Sequence, residues 1–199
     1  MARIEFNAEK HEYRLDGVVI PSVTTIISAV GLYDFDHVSR ETLEVAAERG
    51  TIVHQCIEWY ERGTLEISSI DPELRGYFNG YLSAKASEAL PFDADQIEQI
   101  VWSERYRYAG TLDQLYGGDW INDIKTGAPG AEHGLQLSAY WLALHPDMKE
   151  KPRRLTCTYL TSGGGYSVVD YPYEPLAWLA FLADYRWREA NNKIKPRWR

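Results

Sequence analysis

Apolar residues recur along the chain with two different spacings, and the change falls near residue 96. Upstream, most recur every three or four residues, the spacing that places them on one face of a helix. Downstream, apolar and polar residues first alternate over three short segments, as in strands with one buried face. The pattern predicts helices over 39–62, 72–89, 132–144 and 174–192, strands over 97–104, 106–116 and 120–124, and a hairpin over 153–171.

Short strands are predicted at the start of the chain, with Asp16 and Gly17 supplying the turn of a β-hairpin. Ser22 and Gly31 then mark the two ends of a helix, as its N-cap and its stop. This order of elements predicts an α/β fold in a single domain over 1–199, with a mixed central β-sheet flanked by helices. The helix over 39–62 is expected to bury the face that carries Leu43, Ala46, Ala47, Val53 and Ile57.

The composition is that of a globular protein, because 45% of the 199 residues are hydrophobic. Cys56 and Cys157 stand far apart without metal-knuckle spacing, so no disulfide framework, zinc site or iron-sulfur site is predicted. No stretch approaches the roughly 18 apolar residues of a membrane span, and the N-terminus lacks an apolar signal core. We expect a cytoplasmic protein without a membrane partner.

The net charge of −8 argues against broad electrostatic capture of nucleic acid. The charge is unevenly distributed, however, because the C-terminal end is basic and contains tryptophans. Such a segment either holds a phosphodiester backbone or is a solvated last helix with a frayed end. Its members are Arg186, Trp187, Arg188, Lys193, Lys195, Arg197, Trp198 and Arg199.

Two carboxylates and an amine are predicted to meet on adjacent strands. If 106–116 and 120–124 pair as antiparallel strands, Asp113 and Asp123 lie near one another, and Lys125 shares the face of Asp123. Two adjacent carboxylates repel unless a cation lies between them. Oxygen ligands favour Mg²⁺ or Mn²⁺, which also binds phosphate, and Lys125 would then act on a metal-bound water or a phosphate. The alternative is a surface cross-strand salt bridge.

Further residues surround this trio at informative positions. Gly110 permits close approach of another group three residues before Asp113. Gln136 and Tyr140 share one face of the following helix. The alternative for this pair is an ordinary amphipathic helix whose tyrosine packs on the sheet.

The combination resembles the PD-(D/E)XK nuclease superfamily, in particular its RecB-like branch. That branch includes the mitochondrial genome-maintenance exonuclease and the CRISPR-adaptation nucleases, and the resemblance spans about residues 13–145. It implies a restriction-endonuclease-like core. The matching motifs are G-x-x-D at Gly110–Asp113, D-x-K at Asp123–Lys125 and Q-x-x-x-Y at Gln136–Tyr140, preceded by Gly50 and His54.

The resemblance also implies the metal ligands. These would be Asp113, Asp123, the backbone carbonyl of Ile124 and the imidazole of His54, holding Mg²⁺ or Mn²⁺. Family members often place a further acid at the end of the first strand, which points to Glu104. Glu58, one turn after His54, is a weaker candidate. The clustered cysteines of iron-sulfur members are absent from this sequence, so no such cluster is expected.

The remaining roles and the activity follow from the same resemblance. Lys125 would position the attacking water, while Gln136 and Tyr140 would contact the substrate phosphate or orient Lys125. The expected function is a metal-dependent DNA exonuclease acting on DNA with a free end, in recombination, repair or phage DNA processing, with a recombination protein as a possible partner. The loop over 31–36 and the helix over 72–90 are candidates for a gate over the groove, and the alternative for the helix is that it belongs to the core.

Three alternatives remain open. The chain could be a catalytically inactive nuclease-like module for DNA binding or assembly, although such a module has no physical reason to keep two repelling acids together. It could be a structure-specific endonuclease. It could also be a phosphoesterase for small nucleotides, which suits the acidic surface.

Overall fold

The computed structural model of the chain describes residues 3–33 and 38–194. Two predicted features therefore lie partly outside the described residues. The proposed gate loop over 31–36 is described only as far as residue 33, and the basic C-terminal segment only as far as residue 194.

The N-terminal residues form a small antiparallel sheet of three strands, β1 (Ile4–Asn7), β2 (Glu12–Leu15) and β3 (Val18–Ile20). Asp16 and Gly17 join the last two strands with φ angles of 53° and 78°. Two successive residues with positive φ are typical of the tight hairpin turn that Asp-Gly favours. The predicted N-terminal hairpin is confirmed, and the short strand predicted before it pairs with it.

The central sheet contains β4 (Gln96–Ser103), β5 (Tyr108–Tyr116), β6 (Trp120–Lys125), β7 (Arg154–Leu160) and β8 (Tyr166–Asp170), in that spatial order. Neighbouring strands run antiparallel, except that β6 and β7 are parallel. A parallel pair needs a crossover connection, and helix α4 (Ala131–Leu144) supplies it. The predicted mixed sheet is thereby confirmed.

Helices cover both faces of the sheet. Within the described residues, the other α-helices are α1 (Val23–Val30), α2 (Arg40–Glu61), α3 (Arg75–Ala86) and α5 (Pro175–Ala190). Side chains of α1, α4 and α5 share one buried cluster, and side chains of α2 and α3 share a second. The two clusters lie on opposite faces of the sheet, because the first contains Ile121 of β6 and the second contains Ile124 of the same strand. The prediction of a sheet flanked by helices is confirmed.

The first half of α2 lies largely outside the core, which corrects the expectation for this helix. Ala47 is exposed and Leu43 and Ala46 are only partly buried, whereas Val53 and Ile57 are buried as predicted. The helix contacts the rest of the protein mainly through its C-terminal half. Apolar spacing thus identified the helix but overstated the length of its buried face.

Helix α3 is a core helix, which argues against its aromatic residues forming a gate. Tyr77, Phe78 and Tyr81 are all buried. Two glycines let the helix approach the β7–β8 turn, since a Cβ atom at Gly76 would lie 1.7 Å from the carbonyl oxygen of Ser162. No helix in the described part of the chain is long and apolar enough to span a membrane.

Candidate metal centre

Three carboxylates lie side by side across β4, β5 and β6. The β4–β5 register pairs Ile97 with Gln114 and Gln99 with Leu112, so Glu98 stands opposite Asp113. Glu98 is itself in the left-handed region, with φ of 50°, which is unusual for a non-glycine residue within a strand. Strained backbone of this kind is concentrated at functional sites.

The regular backbone pairing of β5 with β6 ends next to Asp113. The registered pairs run from Tyr116 opposite Trp120 to Gln114 opposite Asn122. Beyond these pairs, the side chain of Asp113 replaces the β5 backbone as the hydrogen-bond partner of β6. Its Oδ2 accepts the backbone N–H of Ile124 at 2.6 Å. Asp113 is therefore held by the backbone of the neighbouring strand.

Helix α2 contributes His54 to this row of acids. Its Nε2 lies 2.8 Å from the carbonyl oxygen of Ile124, and because a carbonyl only accepts, Nε2 carries the hydrogen. Its Nδ1 faces the acids, 3.4 Å from Asp113 Oδ2 and 3.7 Å from Glu98 Oε1. Ligand atoms of His54, Glu98 and Asp113 all lie within 4.8 Å of one another, so these three residues could hold a metal ion.

A second set of polar side chains adjoins this group. Asp123 Oδ2 forms an ion pair with Lys125, and Asp123 Oδ1 accepts a hydrogen bond from Gln136 Nε2 at 3.0 Å. Gln136 also accepts from Lys125 Nζ at 3.1 Å and lies 2.9 Å from the Tyr140 hydroxyl. The glutamine of α4 therefore fixes both members of the ion pair on β6.

Tyr140 is placed by the glycine that precedes Asp113 on β5. A Cβ atom at Gly110 would lie 2.5 Å from Cε1 of the Tyr140 ring. The predicted close approach at Gly110 thus exists, and the approaching group is an aromatic ring. The ring is 3% exposed, so packing on the sheet and bonding to Gln136 are two roles of the same side chain.

The opposite face of β5 and β6 carries a buried polar network directly behind the acids. Gln114 Nε2 donates to the Tyr81 hydroxyl at 2.6 Å, and Asn122 Nδ2 donates to Gln114 Oε1 at 2.9 Å. Thr156 and Thr158 of β7 both donate to Asn122 Oδ1, at 2.9 and 2.8 Å. These bonds tie three strands together next to Asp113 and Asp123 in the sequence.

The acids differ in how readily they ionise. Burial raises the pKa of Asp123 to about 6, and the Asp113 carboxylate adds to this rise while Lys125 opposes it. Burial also raises the pKa of Glu98, and His54 offsets part of that effect. Burial opposes ionisation of Asp113 as well, but His54 and Lys125 hold the pKa of Asp113 below its usual value.

The two bases are stabilised in their charged forms. Burial by itself lowers the pKa of His54, but the carboxylates of Asp113 and Glu98 outweigh it and raise that pKa well above its ordinary value. Burial likewise disfavours the charged form of Lys125, yet Asp123 and Asp113 raise its pKa. Three acids thus face two cationic side chains, an arrangement that favours uptake of a proton or a metal cation.

The structure brings together most of the residues predicted for this site, namely His54, Asp113, Asp123, Ile124, Lys125, Gln136 and Tyr140. Glu104 is the exception: it lies exposed in the turn after β4, away from the other acids. Glu58 pairs with Arg62 at 2.9 Å. The carbonyl of Ile124 accepts the His54 hydrogen bond described above.

Sequence reasoning does not identify Glu98, the additional acid that lies opposite Asp113. The family resemblance points to the acid at the end of the first strand, Glu104, whereas the pairing register decides which residue faces Asp113. A signal was present. Counting back from the turn between β4 and β5 pairs Glu98 with Asp113, and Glu98 shares strand parity with the apolar residues Ile100 and Trp102.

Comparisons with known proteins show similarity at the level of the fold. No family model matches the chain, and no curated protein matches it. Among solved structures, the chain is similar to a proposed exonuclease from Eubacterium rectale, with a TM-score of 0.54 and 12% identical residues. The match covers 74% of this chain and 69% of that protein. At this identity, the likeness shows a common fold.

Proposed function

We propose that the chain, as one domain, is a metal-dependent deoxyribonuclease of the RecB-like branch of the PD-(D/E)XK superfamily. The observation that carries the proposal is the row of Glu98, Asp113 and Asp123 across three strands, with His54 and Lys125 against it. The name of the structural neighbour supports the same activity, and we propose that it is exonucleolytic.

The donor set fits a hard divalent cation. His54, Glu98 and Asp113 would hold it, and Asp123 is proposed as a further ligand. Because most of these donors are carboxylate oxygens, we propose Mg²⁺ or Mn²⁺. When bound, the cation would supply positive charge at the scissile phosphate and activate the attacking water. It would also relieve the repulsion from Asp113 that adds to the effect of burial in raising the pKa of Asp123.

Lys125 is proposed to act as a cation at the reacting phosphate. Its raised pKa keeps it protonated, so it can donate hydrogen bonds to a phosphate oxygen or orient the water. Gln136 limits the positions of the ammonium group through its 3.1 Å contact, and Tyr140 in turn positions Gln136. In phosphoryl transfer, such positioning and charge compensation supply most of the catalysis.

The tautomer of His54 matters for its proposed role. With its Nε2 hydrogen donated to Ile124, the neutral ring presents the Nδ1 lone pair to Glu98 and Asp113. Nδ1 is therefore the proposed ligand atom. In this arrangement the Ile124 carbonyl orients the histidine and helps to build the site indirectly.

DNA with a free end is the proposed substrate. The net charge of −8 opposes DNA binding in general, and one or more bound cations would reduce that opposition where phosphate must enter. A role in recombination, repair or phage DNA processing in the cytoplasm, with a recombination protein as partner, is proposed from the motif resemblance alone.

The test is digestion of end-labelled linear single strands, linear duplexes and closed circles with Mg²⁺, Mn²⁺ or EDTA. Lys125→Ala removes the proposed catalytic cation, and Lys149→Ala, whose side chain is 82% exposed, serves as the matched control. We expect metal-dependent shortening from the ends, intact circles, and activity lost only in Lys125→Ala.

Other results would select the alternatives. Cutting of circles would identify an endonuclease. DNA binding without cleavage under any metal would identify an inactive binding module. Stronger competition by mononucleotides than by oligonucleotides would identify a small-nucleotide phosphoesterase.

A further inference from the structure

The arginines of α2 differ in their partners. Arg40 pairs with Glu44 at 2.7 Å, and Arg62 pairs with Glu58 at 2.9 Å. Arg49, between them, has no ion-pair partner among the described residues. Its guanidinium therefore has free hydrogen-bond donors, whereas the other two arginines donate to glutamates one turn away in the chain.

The sequence explains this difference. Glutamate at i±3 or i±4 is the helical position from which an acid reaches an arginine. Around Arg49, those four positions are Val45, Ala46, Ile52 and Val53, all apolar. Glu48 is adjacent in sequence but points about 100° away around the helix. The local sequence thus leaves Arg49 without a carboxylate of its own helix.

The Arg49 side chain is nevertheless held in place. Its guanidinium lies over the ring of Tyr77 of α3, with 5.5 Å between the guanidinium carbon and the ring centroid. Its Nε is buried and has no hydrogen-bond partner among the described residues. A stacked guanidinium is pre-organised and loses less freedom when it binds an anion. A phosphate cannot reach this buried Nε, so it would be met by the N–H groups of the two Nη atoms.

Arg49 lies on the part of α2 that passes the candidate metal centre. Its neighbour Gly50 faces the strand end, since a Cβ atom there would lie 3.7 Å from Thr126 Oγ1. One turn later, His54 contacts Ile124. Helix α2 therefore passes the end of β6, and Arg49 precedes His54 by about 7.5 Å along the helix axis and by about 140° around it. This distance is on the order of one or two nucleotides of a strand backbone.

We propose that Arg49 binds a backbone phosphate of the DNA strand, next to the phosphate that is cleaved. The inference rests on the proposed function and adds a binding residue to it. A guanidinium donates two parallel hydrogen bonds to a phosphate and reads no base, so the contact is independent of sequence. Arg49 would thereby offset, at this point, the acidic charge of the protein.

The test measures binding and its salt dependence on the full-length protein. A labelled oligothymidylate is titrated by fluorescence anisotropy in Ca²⁺ at several salt concentrations, with a gel to verify that the strand stays intact. Arg49→Met keeps the aliphatic stem on Tyr77 and removes the charge, whereas Arg49→Lys retains the charge. Arg40→Met, which breaks a 2.7 Å pair with Glu44 on the same helix, is the matched control.

We expect Arg49→Met to weaken binding about tenfold, as loss of a charged hydrogen bond does. The slope of log K against log salt should become shallower by about 0.7, the value for one phosphate contact on a single strand. Arg49→Lys should keep the slope, and Mn²⁺ affinity without DNA and kcat at saturating DNA should not change in either variant. A fall in Mn²⁺ affinity would instead indicate a structural role.

The inference is overturned if Arg49→Met binds with the wild-type affinity and slope, or if Arg40→Met loses as much affinity as Arg49→Met. If the wild-type protein cleaves DNA and Arg49→Met is unaltered, this inference fails while the proposed function stands. If the wild-type protein binds none of the DNA substrates, both fail together.

Discussion

Gly110→Ala tests how the fold positions the site, because the added methyl group meets the Tyr140 ring. The Cβ atom would lie 2.5 Å from Tyr140 Cε1 and 3.4 Å from Val23 Cγ2, where 3.4 Å is the beginning of ordinary contact. The ring must therefore retreat by about 0.9 Å. It is 3% exposed, so the retreat disturbs neighbours that are themselves buried.

Overpacking of this kind costs about 1–3 kcal/mol of unfolding free energy. Movement of the ring also stretches the 2.9 Å contact between its hydroxyl and Gln136, which holds Lys125 and Asp123. We therefore expect Gly110→Ala to lower both stability and cleavage rate. Gly163→Ala, with nothing within 4 Å of the added methyl group, should change stability by about 0.5 kcal/mol or less.

A double-mutant cycle by urea denaturation measures the contact directly. Tyr140→Phe keeps the ring, so the cost of Gly110→Ala should persist in that background. Tyr140→Leu removes the atom at 2.5 Å, so most of that cost should disappear. An equal cost of Gly110→Ala in all three backgrounds would refute the reasoning.

Three further predictions concern charge and polar contacts. His54 and Asp123 both have raised pKa values in the fold, that of Asp123 about 6, so the metal-free protein binds more protons folded than unfolded. Its unfolding free energy should fall as pH rises from about 4 through these values, while Mn²⁺ affinity measured by calorimetry rises; a pH-independent affinity would contradict this. Glu98→Gln should lower Mn²⁺ affinity at least tenfold and Glu104→Gln should leave it unchanged, because only Glu98 faces Asp113. The opposite ranking would support Glu104 as the additional metal ligand. Asn122→Leu leaves the buried side chains of Gln114, Thr156 and Thr158 without the hydrogen-bond partner that Asn122 provides, so the unfolding free energy measured by urea denaturation should fall by about 1–3 kcal/mol. An unchanged unfolding free energy would show that the network behind the acids is dispensable.

The secondary structure was predictable because the spacing of apolar residues within each segment indicates a helix or a strand. Alternation over 97–116 and 120–124 gave the strands of the sheet, and Asp16-Gly17 gave a turn that few other dipeptides form so readily. Two residues of the site followed in the same way. Antiparallel pairing around a short turn places Asp113 near Asp123 in any fold that contains this hairpin.

Burial along α2 was not predictable from its period. An apolar face says which side of a helix can be buried, but the length that is buried depends on where the sheet ends. Leu43 and Ala46 lie on the same helix face as Val53 and Ile57, and only the latter two are buried. The same limit applies to Arg49, because the residues three and four positions from it are apolar while its stacking partner Tyr77 comes from another helix.

The sequence by itself therefore determined the elements, the sheet class and the acids that a single turn brings together, because these depend on contacts between residues close in the chain. Only the tertiary structure decided that Glu98 and not Glu104 joins them, that His54 reaches Ile124 across 70 residues, and that Gln136 bridges Lys125 and Asp123. These contacts depend on pairing register and on the positions of α2 and α4 against the sheet. Both are fixed by packing of the whole core, which no local pattern contains.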